Sequence, residues 1–184
     1  APDRSRRRAL LAVVGTLAVA HPAAMAWQVV RAPDRGINGL AWMTPGDRAL
    51  VDGLRRQPLG VTMVEAVGPA YSEFARLSSA SGVPALLGWE NHELVWRGSS
   101  ITSETGRRRR VVEAIYASDD PDEILRLART ERVDLIAVGS LERRVVSDAT
   151  LAAIRDAGTV VVDVEGGLLV RIDPGAPDDR AAPP

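Results

Sequence analysis

A run of 22 residues without a charged side chain, residues 9–30, constrains the fold of this chain more than any other feature. As an α-helix, a run of this length can cross the hydrocarbon core of a bilayer, which is about 30 Å thick. Four arginines precede it within residues 1–8, and Trp27 lies near its far end, where interfacial aromatic residues are common. The pattern predicts a basic cytoplasmic flank, a transmembrane helix in the cell membrane and an extracytoplasmic remainder.

The same residues also fit two other interpretations. A basic segment, an apolar segment and the small residues Ala24 and Ala26 are typical of a cleaved secretory signal peptide. The stretch "SRRRALL" further suggests a twin-arginine signal. A buried core helix is a third interpretation, which the length and the lack of charge disfavour. The first two interpretations both place residues 32 onward outside the cytoplasm.

Helix and strand patterns alternate from residue 32 to residue 173. Thr44, Asp120 and Ser147 are typical N-cap residues, and a proline follows the first two directly. Short apolar runs predict strands over residues 60–66, 83–89 and 134–140, and Gly166-Gly167 predicts a hairpin turn. We therefore expect an α/β domain with a mostly parallel sheet, flanking helices and a C-terminal β-hairpin. The composition of residues 174–184 predicts a disordered tail.

Polar and aromatic side chains follow each predicted strand. The carboxyl ends of parallel strands meet at one edge of a sheet, where ligands commonly bind. These side chains are therefore candidates for a shared ligand-binding site. They are Glu65, Tyr71, Ser72, Arg76, Trp89, His92, Glu93, Trp96, Arg97, Glu142 and Arg143.

The segment "GWENHELVWRG", residues 88–98, combines two tryptophans with several charged side chains. Because glycines bracket it, we expect a loop that folds across the carboxyl edge of the sheet and buries at least one tryptophan. Burial would draw charged side chains inward, where they need partners. The expected partner of Arg97 is Glu65 or Glu142, and that of His92 or Glu93 is Tyr71.

Each candidate also has a structural interpretation. Glu65 suits a helix cap or an ion pair with Arg76 as well as it suits a ligand. His92 lacks the second histidine of a zinc-binding HExxH motif, the chain has no cysteine, and no dinucleotide or Walker motif is present, so neither metal nor cofactor is predicted. Residues 107–110 are four consecutive arginines. Because the net charge of the chain is −1, we interpret them first as a solvated helix start and only last as a nucleic-acid site. A contact with an anion or a lipid headgroup is the intermediate interpretation.

Four spaced motifs stand out: EA-x-G-x-x-Y-S from Glu65, R-x-S-x-x-[TS]-G-x-P-x-x-x-G-W from Arg76, HE-x-x-W-R-G from His92, and V-G-x-x-E-R ending at Arg143. Together they resemble the C-terminal part of the YYY membrane-protein family, a group of large multi-pass prokaryotic proteins. The resemblance extends over residues 36–172. It implies that residues 9–30 are the last of several transmembrane helices and that this chain is a C-terminal piece of a longer protein.

The resemblance also implies similarity to GT-C-type glycosyltransferases, membrane enzymes that use polyprenyl-phosphate sugars. Their catalytic carboxylate lies in an early external loop, so if the protein is an enzyme its catalytic residue lies outside this chain. We expect a domain that handles a glycan or a lipid-linked sugar, with the lipid bilayer and its own upstream helices as further partners. The alternative is a non-catalytic structural or assembly module that docks on those helices. A hydrolase that uses Glu65 and Glu93 as acid and base ranks third.

Overall fold

A computed structural model describes residues 3–31 and 39–173. The predicted disordered tail, residues 174–184, lies outside the described residues. The chain divides into two units, residues 1–42 and residues 43–184.

The described part of the first unit contains one long helix, α1 (Arg4–Arg31), with Pro22 inside it. Its segment Ser5–Gln28 is long and apolar enough to cross a membrane, a test that a signal sequence also passes. The side chains described along α1 are exposed, unlike those of a core helix. Near its end, the guanidinium of Arg31 lies 4.1 Å from the ring centroid of Trp27. A span and a signal sequence therefore both fit α1.

The second unit is an α/β domain. Its helices are α2 (Pro45–Arg55), α3 (Arg76–Ser81), α4 (Glu90–Arg97), α5 (Thr102–Ala117), α6 (Pro121–Thr130) and α7 (Asp148–Asp156). Its strands are β1 (Met63–Val64), β2 (Leu135–Val138), β3 (Thr159–Val164) and β4 (Gly167–Arg171). Short 3-10 helices span Ser99–Ile101 and Glu142–Arg144.

The predicted helix starts are confirmed. The Thr44 hydroxyl accepts from the Asp47 amide, the Asp120 carboxylate from the Asp122 amide, and the Ser147 hydroxyl from the Thr150 amide. Each bond satisfies one of the amides that a helix N-terminus leaves without a partner. These caps fix where α2, α6 and α7 begin.

The sheet is mixed, so the expectation of a mostly parallel sheet is wrong. The strand order is β1-β2-β4-β3, with β1 parallel to β2 and both other pairs antiparallel. The cause is the C-terminal hairpin. All but the last residue of β4 are buried beside β2, whereas β3 is the exposed edge strand. The hairpin is confirmed, but its turn is Glu165–Gly166, with Gly166 at φ +78°, and Gly167 begins β4.

The strand predicted over residues 83–89 is reduced to one parallel bridge between Ala85 and Met63. The Met63 amide donates to the Pro84 carbonyl at 2.9 Å, and the Leu86 amide donates to the Met63 carbonyl at 2.8 Å. Pro84 has no amide hydrogen to extend the ladder. The direction of the chain here is still that of β1, so the segment leaves the sheet at the carboxyl edge.

Helices cover both faces of the sheet. Apolar side chains of α5, α6 and α7 pack with Ile136 and Val138 in one core. On the other face α2 contacts β3 and β4, where Gly53 lies against Val162. Strands β1, β2 and β4 are therefore buried between the helices, and polar side chains gather at the carboxyl edge of β1 and β2.

Candidate functional site

Four charged side chains are almost completely buried at the carboxyl edge of β1 and β2. We call this group the buried charge cluster: Asp47, Glu65, Arg76 and Glu142, each at most 4% exposed. Glu65 and Glu142 follow the two parallel strands, as the topology predicts. Arg76 is the first residue of α3, and Asp47 lies in the first turn of α2. Four separate segments thus meet at one edge.

Arg76 joins two of the carboxylates. Its Nη2 donates to Asp47 Oδ1 at 2.9 Å and to Glu142 Oε2 at 2.8 Å, and its Nη1 donates to Glu142 Oε1 at 3.3 Å. Its Nε has no hydrogen-bond partner within the part of the chain that the structure describes. A buried charge requires such pairing, because removal from water is otherwise prohibitive.

Backbone amides and a serine hydroxyl donate further hydrogen bonds to the same two carboxylates. Glu142 accepts from the amides of Gly139 and Ala66, at 2.8 and 2.7 Å, and so joins the ends of both parallel strands. Asp47 accepts from the amide and the hydroxyl of Ser140, at 2.9 and 2.6 Å. The carboxylates of the cluster are therefore engaged inside the fold.

Glu65 caps α3, as one of its two structural interpretations predicted. Its carboxylate accepts from the amides of Leu77 at 2.9 Å and Ser78 at 3.0 Å. The N-cap residue Ala75, at φ +59°, offers no side chain for this role. The cap is supplied from β1, and this ties the short helix to the sheet.

The cluster shifts the pKa values of its members in opposite directions. Burial alone would raise the pKa of Asp47, but hydrogen bonds from Arg76 and Ser140 lower this pKa to about 2. For Glu65, burial raises the pKa and outweighs the hydrogen bonds from Ser78 and Leu77, and the charge of Glu142 adds to the rise. Asp47 thus favours the charged form more strongly than an ordinary aspartate, and Glu65 the neutral form.

Asp47 and Tyr116 are members of this edge that sequence reasoning missed. In the sequence, Asp47 indicates only the N-terminus of a helix, because no neighbouring residue shows that α2 lies beside Ser140. The Tyr116 hydroxyl lies 2.6 Å from the Ala137 carbonyl and 3.1 Å from that of Val64, so it bridges β1 and β2. In the sequence, Tyr116 indicates only the apolar face of the helix that becomes α5.

Gly139 leaves room for the cluster, since a Cβ there would collide with the side chains of Asp47 and Arg76.

The segment 88–98 is a helix, not the predicted loop. α4 is attached to α5 by the Arg109 Nε, which donates to Glu90 at 2.9 Å. The ring centroid of His92 lies 4.7 Å from that of Tyr71 and 5.0 Å from that of Trp89, both edge to face. Trp89 is partly buried and donates from Nε1 to the Phe74 carbonyl at 2.8 Å. The predicted partnership of Tyr71 and His92 therefore exists as a ring contact.

Trp96 lies one helical turn beyond His92 on the same face of α4. We call Tyr71, Trp89, His92 and Trp96 the aromatic patch. Tyr71 and Trp96 are both 82% exposed, so only Trp89 fulfils the expected burial of a tryptophan.

The other candidates lie on the surface. The predicted pairing of Arg97 with Glu65 or Glu142 is wrong: both of those carboxylates face inward, and Arg97 instead lies 3.8 Å from Glu93, one turn away on α4. The Ser72 hydroxyl donates to the Pro69 carbonyl. Arg143 is exposed on the 3-10 helix after β2.

A pocket of about 370 Å³ opens beside the buried charge cluster. Its lining is mainly apolar and comes from Ala66, Val67, Phe74, Val112, Tyr116, Ala117, Leu141 and Val145. The charged side chains of Glu113 and Arg144 also line it, and both are more than half exposed. Its size is within the range of small-molecule sites. Its walls offer apolar contact and few polar groups for chemistry.

The arginine run 107–110 lies inside α5, and three of its four members pair with acidic side chains. Arg107 bonds Glu104 and Glu131, and Arg108 bonds Glu104 at 2.8 Å. The predicted helix start at this run is wrong, because α5 begins at Thr102. The ion pairs disfavour a nucleic-acid patch, since phosphate binding depends on unneutralised basic groups. In the described ranges, no group of three or more histidine or acidic side chains is arranged to hold a metal ion.

Comparison of the chain with protein-family models, with curated proteins and with solved structures finds no match.

Proposed function

We propose that residues 43–173 form a non-catalytic binding module of a membrane protein, and that its pocket takes the apolar part of a lipid-linked sugar. The observation that carries this proposal is the position of the pocket, at the carboxyl edge of the parallel strands β1 and β2. The apolar segment in α1 and the resemblance to the YYY family support a membrane setting.

The chemistry of the edge supports binding rather than catalysis. A general acid or base has to reach the substrate, but Glu65 and Glu142 are at most 1% exposed and are bonded to backbone amides. Glu93, the other acid of the hydrolase hypothesis, lies on α4 beside Arg97. The pocket itself suits a hydrocarbon chain, because its walls are mainly apolar.

Binding of a polyprenyl-phosphate sugar to the full chain in detergent micelles tests the proposal. Ala117 is exposed at the end of α5 and lines the pocket, so Ala117→Trp should fill it. We expect this variant to bind about tenfold more weakly, a loss of about 1.4 kcal/mol. The matched control is Ala152→Trp, an exposed position on α7, which should bind like the original chain. Equal binding by both variants would contradict the pocket as the site.

A second candidate, a structural or assembly module docking on its own membrane helices, is favoured by the satisfied carboxylates of the buried charge cluster. In that case no variant binds a lipid-linked sugar. Deletion of residues 43–173 would instead lower the amount of the intact membrane protein that folds.

A further inference from the structure

The domain leaves two members of the aromatic patch, and the neighbouring Val95, largely in water. Tyr71 and Trp96 are each 82% exposed, and Val95, beside Trp96 on α4, is 79% exposed. Exposure of such side chains costs free energy that burial against another apolar phase recovers. Tryptophan and tyrosine, with an apolar ring and a polar group, are the side chains that favour the interface between lipid headgroups and hydrocarbon.

Two features of the domain place this surface toward one edge. Ala85 pairs parallel with Met63, so the chain runs out at the carboxyl edge of the sheet and α4 begins there. Thr44 and Asp47, where the chain enters the domain, are at the same edge, because Asp47 accepts from the Ser140 amide just after β2. The aromatic patch and the entry point therefore share an edge.

The entry point follows α1 closely in sequence, since twelve residue steps separate Arg31 from Met43. The opposite edge carries Leu59, which is fully exposed in the turn before β1.

From these observations we infer that Tyr71, Val95 and Trp96 dock on the headgroup–hydrocarbon interface of the bilayer. This inference rests on the membrane attachment in the proposed function, but not on the pocket or its ligand. It also specifies the driving force. Arg97 and Arg144 already lie 3.8 Å from Glu93 and 3.3 Å from Glu73, so aromatic insertion, rather than attraction to anionic lipid, should dominate.

Tryptophan fluorescence of the full chain in phosphatidylcholine vesicles tests the docking. Trp27→Phe with Trp42→Phe leaves Trp89 and Trp96 as the only tryptophans, and adding Trp96→Phe isolates the contribution of Trp96 by difference. We expect lipids brominated near the headgroup to quench most of the Trp96 emission, at a depth of about 5–10 Å. The emission maximum of Trp96 should lie at a shorter wavelength than in detergent-free water.

The matched control adds Leu59→Trp to the variant that lacks Trp27, Trp42 and Trp96. A tryptophan at this opposite edge should escape the bromolipids and stay accessible to acrylamide. Equal quenching at positions 59 and 96 would overturn a docked edge. A second result would also overturn it: Trp96 escapes quenching by bromolipids, yet becomes less accessible to acrylamide as the protein concentration rises. That result would identify a second copy of the chain as the partner that covers Trp96.

Quenching of the Trp27 emission distinguishes a chain whose patch does not dock from a chain that is not attached to the membrane. Its emission is isolated by comparing Trp42→Phe/Trp96→Phe with the same chain carrying Trp27→Phe as well. If Trp27 is quenched and Trp96 is not, α1 is inserted and the docking is overturned. If neither is quenched, the membrane attachment is overturned and the docking with it.

Discussion

The buried charge cluster and the aromatic patch lie at the same edge of the sheet, yet they reverse the usual distribution of residue types. The cluster buries Asp47, Arg76 and Glu142 almost completely, whereas the patch leaves Tyr71 and Trp96 mostly in water. The difference follows from partners. Each buried carboxylate finds amides or a guanidinium within hydrogen-bond distance, whereas none of the residues of α4 is buried. At this edge, the availability of hydrogen-bond partners determines which side chains are buried more than their hydropathy does.

The largest expected effect comes from removing the shared cation of the cluster. Arg76→Met leaves Asp47 and Glu142 buried without their common partner, and we expect a loss of about 3–5 kcal/mol in the free energy of unfolding. Hydrogen exchange of the β2 amides in the full chain measures this. Arg97→Met removes an exposed ion pair on α4 and should change stability by less than about 1 kcal/mol. Equal losses in the two variants would show that the cluster has no special role.

Acid should weaken the cluster in a defined pH range. The pKa of Asp47 falls from an ordinary 3.8 to about 2 in the folded domain, so its stabilisation is present above pH 3.8 and is lost as pH falls toward 2. We expect Asp47→Asn to be less stable than the original chain by roughly 2 kcal/mol at pH 6. That difference should shrink as pH falls through about 2, where half of the Asp47 side chains in the folded domain are protonated. A difference that stays constant through this range would contradict the assignment.

Glu65 contributes with the opposite sign. Its pKa is raised in the folded domain, so its contribution to stability is greatest below its ordinary value of 4.5 and declines as pH rises above it. The comparison between the original chain and Asp47→Asn removes this contribution, because Glu65 is present in both.

A smaller effect is expected for the tyrosine that spans the two parallel strands. Tyr116→Phe removes the hydroxyl that lies 2.6 Å from the Ala137 carbonyl, and we expect a loss of about 1 kcal/mol. Thermal unfolding of the full chain in detergent gives the value. A stability unchanged within error would indicate that water or another donor replaces the hydroxyl.

The smallest effect on stability is expected in the aromatic patch. Trp96→Ser should shift the free energy of unfolding by no more than about 0.5 kcal/mol, because the side chain is mostly exposed. Chemical denaturation in detergent measures this, and a loss above about 2 kcal/mol would mean that Trp96 packs against the domain. The difference in stability loss between Arg76→Met and Trp96→Ser therefore measures how differently the two regions contribute to the fold.

Local signals in the sequence predicted local structure well. The caps by Thr44, Asp120 and Ser147 each involve an amide two or three residues ahead, so a short stretch of sequence contains the whole interaction. The cap by Glu65 joins residues 12 and 13 positions apart and was one of two structural interpretations. The membrane-length helix was predictable because length and lack of charge are sufficient.

Two features depend on distant partners and were missed. Asp47 and Ser140 are 93 residues apart, and only the position of α2 over the sheet brings them together. The order of β4 and β3 depends on the pairing of β4 with the distant strand β2, which the alternation of helices and strands did not show. In residues 88–98 the bracketing glycines suggested a loop, whereas they mark the two ends of α4.

The spacing of the cluster along the chain has a consequence for folding kinetics. The hairpin of β3 and β4 closes within 13 residues, but Arg76 reaches Asp47 across 29 residues and Glu142 across 66. Because short loops close at lower entropic cost, we expect the hairpin to form early and the cluster late. Arg76→Met should then accelerate unfolding and leave the refolding rate nearly unchanged. A refolding rate that falls with stability would place the cluster in the transition state. If the cluster does form late, its ion pairs contribute chiefly to the unfolding barrier and so determine how long the folded domain stays closed.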